Sequence, residues 1–198
     1  MRSLKSKKVL SRIVSAPRPE NLASTGRNRR IVLYGNPVLR RKGRRVSCVG
    51  SELLQTMADL KTTMLEQDGL GLAANQIGED VAVIAINPRA ADVDMEPCCL
   101  VNPELIQSEG VVEAEEGCLS LPAIYEVVAR PERVGIRALG EDGRRLELEA
   151  SGLLARALVH EIDHVNGILF VDHISPLRRK MLAERLRQIE EQEKRVCG

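Results

Sequence analysis

The sequence is poor in aromatic residues and in histidine. Among 198 residues there is no Trp, one Phe and two Tyr, so the core must be built mainly from aliphatic side chains. Proteins that stack nucleic-acid bases use aromatic side chains for it, so sequence-specific binding of nucleic acid is not expected. Only three histidines occur, which makes a clustering of two of them informative.

Cysteine is also scarce, and its spacing excludes two kinds of site. The five cysteines are an odd number without a C-x-x-C pair, so neither a disulfide framework nor a zinc ribbon is indicated. A reducing compartment fits best. The adjacent Cys98 and Cys99 are interpreted as the start of a buried strand, because free cysteine behaves as a small apolar residue.

The first 30 residues are poor in acidic side chains and lack long apolar runs. They hold nine Lys or Arg against one acid, Glu20, and no apolar stretch long enough for a signal peptide core or a membrane span. We expect residues 1–30 to be a disordered extension of a bacterial, cytoplasmic protein; a start codon placed too early and an organellar transit peptide are the alternatives. Residues 31–198, with 20 basic and 27 acidic side chains, are expected to form a single catalytic domain.

Two histidines lie in the segment HEIDH, within an amphipathic stretch that predicts a helix. His160 and His164 are four residues apart, so on a helix they share one face and could bind one metal ion. In this H-E-x-x-H arrangement Glu161 is not a ligand but a base that acts on water. Ser151 is expected to cap this helix and Gly167 to end it.

A catalytic site of this kind usually needs a third protein ligand. The extended motif with a third histidine is excluded, because Phe170 stands at that position. Glu184, twenty residues after His164, is compatible with a third ligand on a following helix. Cys118, in the upstream segment EEGCLSLP, offers a thiolate instead. The spacing alone leaves both open.

Three motifs together resemble the peptide deformylase family. They read GLGLAANQ at residues 69–76, EGCLS at residues 116–120 and HEIDH at residues 160–164, in the order that the family has them. The resemblance extends from about Ile31 to the C-terminal helix. One position departs from the usual pattern, because Val159 stands where many deformylases have glutamine, which puts one supporting hydrogen bond in doubt.

The resemblance implies a role for each matching residue. It implies a divalent ion held by Cys118, His160 and His164, with ferrous iron expected and zinc, nickel or cobalt as substitutes. Glu161 would be the general base, and Gln76 with the backbone of Leu119 would stabilise the oxyanion. The backbone of Leu70, Gly71 and Gly117 would bind an extended peptide.

Further polar residues lie in or near these motifs. Glu116 is expected to orient a metal-bound histidine, with an exposed charge as the alternative. Asp163 cannot face the ion together with both histidines, so it is expected to pair with Arg130. His173 is interpreted as a surface residue.

The periodicity predicts an α+β fold. Short antiparallel or mixed sheets would pack around a central metal-binding helix, with one helix in the N-terminal half and one at the C-terminus. In chain order, the predicted elements are a helix over residues 51–67 ended by Gly69, strands over 81–86, 99–106 and 110–116, a hairpin of strands 133–139 and 144–150, the metal-binding helix, and a last helix over 177–193.

Three functions are compatible with these observations. The first is removal of the formyl group from N-formylmethionyl nascent peptides. An enzyme of this kind is expected to contact the ribosome and not to bind a membrane. The second is an H-E-x-x-H endopeptidase with Glu184 as the third ligand. The third is a binding module stabilised by a metal, against which Glu161 and Gln76 argue, because a module without chemistry does not need them.

Overall fold

The computed structural model describes residues 25–197 and has the expected α+β architecture. Within these residues, four α-helices and seven strands alternate with short 3-10 turns. The helices are α1 (Ser51–Glu66), α2 (Gly152–Val165), α3 (Pro176–Met181) and α4 (Ala183–Cys197). The strands are β1 (Gly71–Ala73), β2 (Val83–Ile86), β3 (Cys98–Glu109), β4 (Val112–Cys118), β5 (Leu121–Arg130), β6 (Arg133–Leu139) and β7 (Arg145–Ser151).

Five strands form an antiparallel sheet in the order β1-β2-β3-β6-β7, with β1 at one edge. Strand β2 is buried along its whole length, because α1 covers one face of the sheet and α2 the other. Alternate residues of β2 show this division: Ile84 packs in the cluster with α2, whereas Val83 packs in the cluster with α1. The helix with the two histidines is therefore held against a rigid sheet.

Strands β4 and β5 form a separate two-stranded sheet. One face of β5 contributes Leu121, Ile124 and Val128 to a third apolar cluster, which also contains Leu186 and Ile189 of α4. This hairpin brings the end of β4, where Cys118 lies, next to α2.

Several predicted elements are confirmed and several are corrected. The hairpin of β6 and β7 and the start of α1 at Ser51 agree with the prediction. Helix α1 ends at Glu66, one residue before the predicted end, and Gly69 takes part in that end because its N–H donates to Met64 O at 2.8 Å. The left-handed residue there is Asp68, with φ +50°. Strands β1 and β5 were missed, because one is very short and the other begins among turn-forming residues.

The last predicted helix is two helices. Ser175 caps α3, since its side chain accepts a hydrogen bond from Arg178 N. The helix is interrupted at Leu182, and α4 begins at Ala183. Leu177 and Met181 of α3 are each 69% exposed, whereas Leu186 of α4 is buried.

The end of the predicted basic extension contacts the folded domain. Arg27 Nη2 and Arg29 Nη1 donate to Asp59 Oδ2 on α1 at 2.9 and 3.1 Å, and Arg30 forms two hydrogen bonds with Glu193. The expectation for residues 1–24 lies outside the described residues. Within the described part of the chain, no helix combines the length and apolarity that a membrane span requires.

Candidate metal and catalytic site

Helix α2 carries the two histidines on its buried face. His160 and His164 are both buried, and their ring centroids are 4.9 Å apart, as expected for residues one helical turn apart. Ser151 occupies the N-cap position, although its side chain makes no capping hydrogen bond. Gly167 follows the helix with φ +76°, where a Cβ atom would lie 2.7 Å from Arg40 O, so only glycine fits without strain.

The end of β4 brings a cysteine to these histidines. Cys118 Sγ lies 3.2 Å from His164 Nε2, and the ligand atoms of Cys118, His160 and His164 all lie within 4.8 Å of one another. Among the side chains of residues 25–196, no other group of three His, Cys, Asp or Glu residues lies close enough together to hold an ion. The structure thus brings together the three residues that the sequence analysis named as ligands.

The donor set suits a soft or borderline divalent metal ion. One sulfur and two imidazole nitrogens are typical ligands of zinc, and they also suit ferrous iron, nickel and cobalt. His164 Nδ1 is buried and has no hydrogen-bond partner among the described residues, while its Nε2 faces the sulfur. A buried imidazole of this kind fits metal coordination through Nε2.

Glu116 orients His160. Its Oε2 lies 3.1 Å from His160 Nδ1, which leaves Nε2 of that ring for an ion. Arg130 donates to both oxygens of Glu116, at 2.8 and 3.0 Å, and to Asp163 at 2.5 Å. Burial alone would raise the pKa of Glu116, but the hydrogen bonds from His160 and Arg130 outweigh it and lower this pKa to about 2. The predicted pairing of Asp163 with Arg130 is confirmed.

Glu161, next to His160 in the chain, is a buried carboxyl group. Its side chain is 4% exposed, and burial raises its pKa to about 7. Its Oε2 has no hydrogen-bond partner among the described residues, so it can accept one from a bound molecule. A carboxyl group with a pKa near neutrality can both take up and return a proton.

The side-chain amide of Gln76 lies beside Cys118. Its Oε1 accepts a hydrogen bond from Ala73 N at 2.8 Å, which aims Nε2 at Ser120 Oγ, 3.2 Å away, and at Cys118 Sγ, 3.5 Å away. The side-chain amide is therefore a donor held beside the cysteine. Leu119, next to Cys118, is partly buried and packs against the α1 side of the core.

The glycines of the two upstream motifs have steric reasons that sequence analysis did not show. At Gly71 a Cβ atom would lie 2.6 Å from Glu161 Cγ, and at Gly117 it would lie 2.6 Å from the Tyr125 ring. Gly71 must therefore lack a side chain, because Glu161 is buried and cannot move aside, whereas the ring that faces Gly117 belongs to the exposed Tyr125 and can move. Leu70 and Gly71 lie at the edge of the sheet, and Leu70 O already accepts a hydrogen bond from Asn87 N.

Glu184 does not belong to the site. It is on the exposed surface of α4, where both carboxylate oxygens accept hydrogen bonds from Arg187. The ligand set of the endopeptidase alternative is therefore wrong. His173 is exposed as predicted, and its Nε2 lies 2.7 Å from Asp163 Oδ2.

Two positions of α2 show what the sequence could and could not reveal. Val159, at the position where many deformylases have glutamine, packs in the apolar cluster between α2 and the sheet. The hydrogen-bond partner of His160 is Glu116.

The second position is Arg156, which the sequence did not point out, although it is buried on this helix and contacts Glu116. The available signal was an arginine four residues before His160, on the same helical face.

Comparison with known proteins gives the same family as the motifs. A family model described as polypeptide deformylase matches residues 28–180. A peptide deformylase of Methylocella silvestris is 47% identical over 161 residues, which are 79% of this chain and 82% of that protein.

Solved structures agree in fold. A peptide deformylase from Legionella pneumophila superposes with a TM-score of 0.76 at 39% identity, covering 84% of this chain and 98% of that one. One from Thermus thermophilus gives a TM-score of 0.77 at 37% identity, covering 83% and 99%. The chain therefore belongs to the polypeptide deformylase family.

Proposed function

We propose that this protein hydrolyses the N-formyl amide of formylmethionine at the start of newly made polypeptides. The observation that carries this proposal is the buried group of Cys118, His160 and His164, with Glu161 and Gln76 beside it, in a chain of the deformylase family. The products are formate and a free N-terminal amine.

We propose that Cys118, His160 and His164 hold one divalent ion. Ferrous iron is the proposed ion, and zinc, nickel or cobalt are substitutes that the same three ligands accept. When bound, such an ion polarises a carbonyl group and lowers the pKa of water. The hydrogen bond between Glu116 and His160 supports the set, because it fixes which ring nitrogen is available.

Glu161 moves the protons of the reaction. Its carboxylate takes a proton from the attacking water and delivers it to the nitrogen of the leaving amine. Burial supports both steps, because it raises the pKa of this side chain to about 7. The unpartnered Oε2 is the atom that accepts the proton.

Gln76 and Leu119 stabilise the negative charge that develops on the formyl oxygen. The donors are Gln76 Nε2, held by the bond from Ala73 N to the other end of the amide, and the backbone N–H of Leu119. A donor held in advance of the reaction contributes about 10²–10³ in rate, because it needs no reorganisation.

The peptide is proposed to bind in an extended conformation along β1. Within the described part of the chain this strand pairs only with β2 and lies at the edge of the sheet, so its other side can pair with a substrate strand. Leu70 and Gly71 would supply backbone groups on one side of the peptide, and Gly117 of β4 on the other. Because the substrates are nascent chains, we propose that the protein acts in the bacterial cytoplasm, in contact with the ribosome.

A comparison of formyl-Met-Ala, acetyl-Met-Ala and an unmodified peptide tests this function. Protein purified without oxygen, with its iron, zinc, nickel and cobalt content measured, should release formate from the first substrate and leave the other two intact. Cleavage of internal bonds with no release of formate would support an endopeptidase instead. Tight metal binding without turnover of any substrate would support the binding module.

A further inference from the structure

Arg156 is a buried arginine of α2 that contacts two strands, β4 and β5. Its side chain is 10% exposed, and burying a guanidinium is costly unless hydrogen bonds satisfy it. Nη1 donates to Glu116 Oε1 at 2.7 Å and to Val128 O at 2.9 Å, and Nη2 donates to Val112 O at 2.7 Å. Ala114 O accepts a longer bond of 3.4 Å from Nη1.

These contacts join the two parts of the molecule that carry the metal ligands. Ala114 and Val128 are opposite each other on β4 and β5, so one side chain of α2 holds both strands of the separate hairpin. Cys118 is at the end of that hairpin, whereas His160 and His164 are on α2 itself. The relative position of the sulfur and the imidazoles therefore depends on how firmly the hairpin is attached to the helix.

Glu116 lies between two arginines and a histidine. Its Oε1 accepts from Arg130 Nε and Arg156 Nη1, while its Oε2 accepts from Arg130 Nη2 and faces His160 Nδ1. With Arg156 removed, Oε1 would lose one of its two donors, and the carboxylate could rotate about the remaining pair with Arg130. The orientation of the His160 ring would then be less well defined.

We propose that Arg156 is a positioning residue, which acts through Glu116 to set the orientation of the His160 ring for metal binding. This proposal rests on the proposed function only in taking these residues as ligands. Its effect should appear in metal affinity itself, whether or not the protein releases formate from a peptide.

Titration of the full chain with Co²⁺ tests the proposal. Visible and near-ultraviolet absorption of bound Co²⁺ reports the thiolate and imidazole ligands, and competition with a chelator gives the dissociation constant. We expect Arg156→Met, which keeps the length of the side chain, to weaken Co²⁺ binding about tenfold and to alter the spectrum. Arg137→Met is the matched control, because it removes an exposed arginine ion-paired with Glu147 and should change neither quantity.

A double-mutant cycle with Glu116→Gln separates positioning from general bracing of the hairpin. If Arg156 acts through Glu116, Arg156→Met should weaken Co²⁺ binding less than about twofold further in the Glu116→Gln protein. An equal loss in both backgrounds would mean that Arg156 acts independently of Glu116, and would overturn the proposal.

Arg156→Lys provides the measurement if the methionine variant does not fold. Lysine keeps the charge but loses the fork that reaches both Glu116 and two strands, so an intermediate affinity is expected. Wild-type affinity and spectrum in this variant would overturn the proposal. Absence of formate release from the wild-type protein, with the Co²⁺ results as expected, would refute the proposed function and leave the role of Arg156 standing.

Discussion

Replacement of Gly71 by alanine should disable the general base while leaving the metal ligands in place. The added Cβ atom would lie 2.6 Å from Glu161 Cγ, 2.7 Å from Oε1 and 2.9 Å from Cδ. Ordinary carbon contacts are about 3.5–4.0 Å, so the overlap is about 1 Å. Glu161 is 4% exposed, so its side chain cannot avoid the methyl group without displacing neighbours.

The size of the effect follows from this overlap. Forcing a methyl group into a packed site costs about 1–3 kcal/mol, so the thermal midpoint should fall by a few degrees. A displacement of about 1 Å at a reacting group can cost about 100-fold in rate, and we expect a loss of this order in kcat. None of the three nearest atoms belongs to Cys118, His160 or His164, so the metal content should be that of the wild type.

The assay is steady-state formate release from formyl-Met-Ala, with metal content and thermal midpoint measured on the same preparation. Gly50→Ala is the control, because a Cβ atom there meets nothing within 4 Å and φ is −106°. A rise in KM alone would point to lost peptide binding along β1 instead. A folded, metal-loaded Gly71→Ala protein with wild-type kcat would refute the steric argument.

Three further predictions use other parts of the chain. Glu161→Gln should keep metal and fold and lose nearly all turnover, and loss of the ion in that variant would contradict its assignment as a base. Cys118→Ala should reduce both metal content and turnover. Glu184→Ala, on an exposed surface, should change the free energy of unfolding by less than about 0.5 kcal/mol and leave turnover intact. The opposite pattern would favour the endopeptidase hypothesis. Burial would raise the pKa of Asp59, but hydrogen bonds from Arg27 and other side chains hold it well below its usual value, so the unfolded state takes up the proton first as pH falls below about 4. The difference in free energy of unfolding between the wild type and Asp59→Asn should therefore be full at pH 6, about 1–3 kcal/mol, and shrink towards pH 3; a constant difference in urea titrations would contradict this.

Local periodicity was enough to predict the helix that carries both histidines. Residues four apart meet on any helix, so the pairing of His160 with His164 needed no tertiary information. The turn at residues 140–143 likewise defined the hairpin of β6 and β7. The position where α1 ends was predicted to within one residue, but its conformation was not, because Asp68 takes up the left-handed conformation that glycine normally supplies.

The identity of the third residue beside the histidines was decided by the tertiary structure. From spacing alone Glu184 was as acceptable as Cys118, because distance along the chain does not give distance in space. The interruption at Leu182 separates α3 from α4, and Glu184 lies on the exposed face of α4. The pairing of β4 with β5 brings the sulfur of Cys118 to 3.2 Å from His164 Nε2. The sequence did not reveal the contacts of Arg156 or the steric need for Gly71 for the same reason. Both depend on packing between α2 and elements that are distant in sequence.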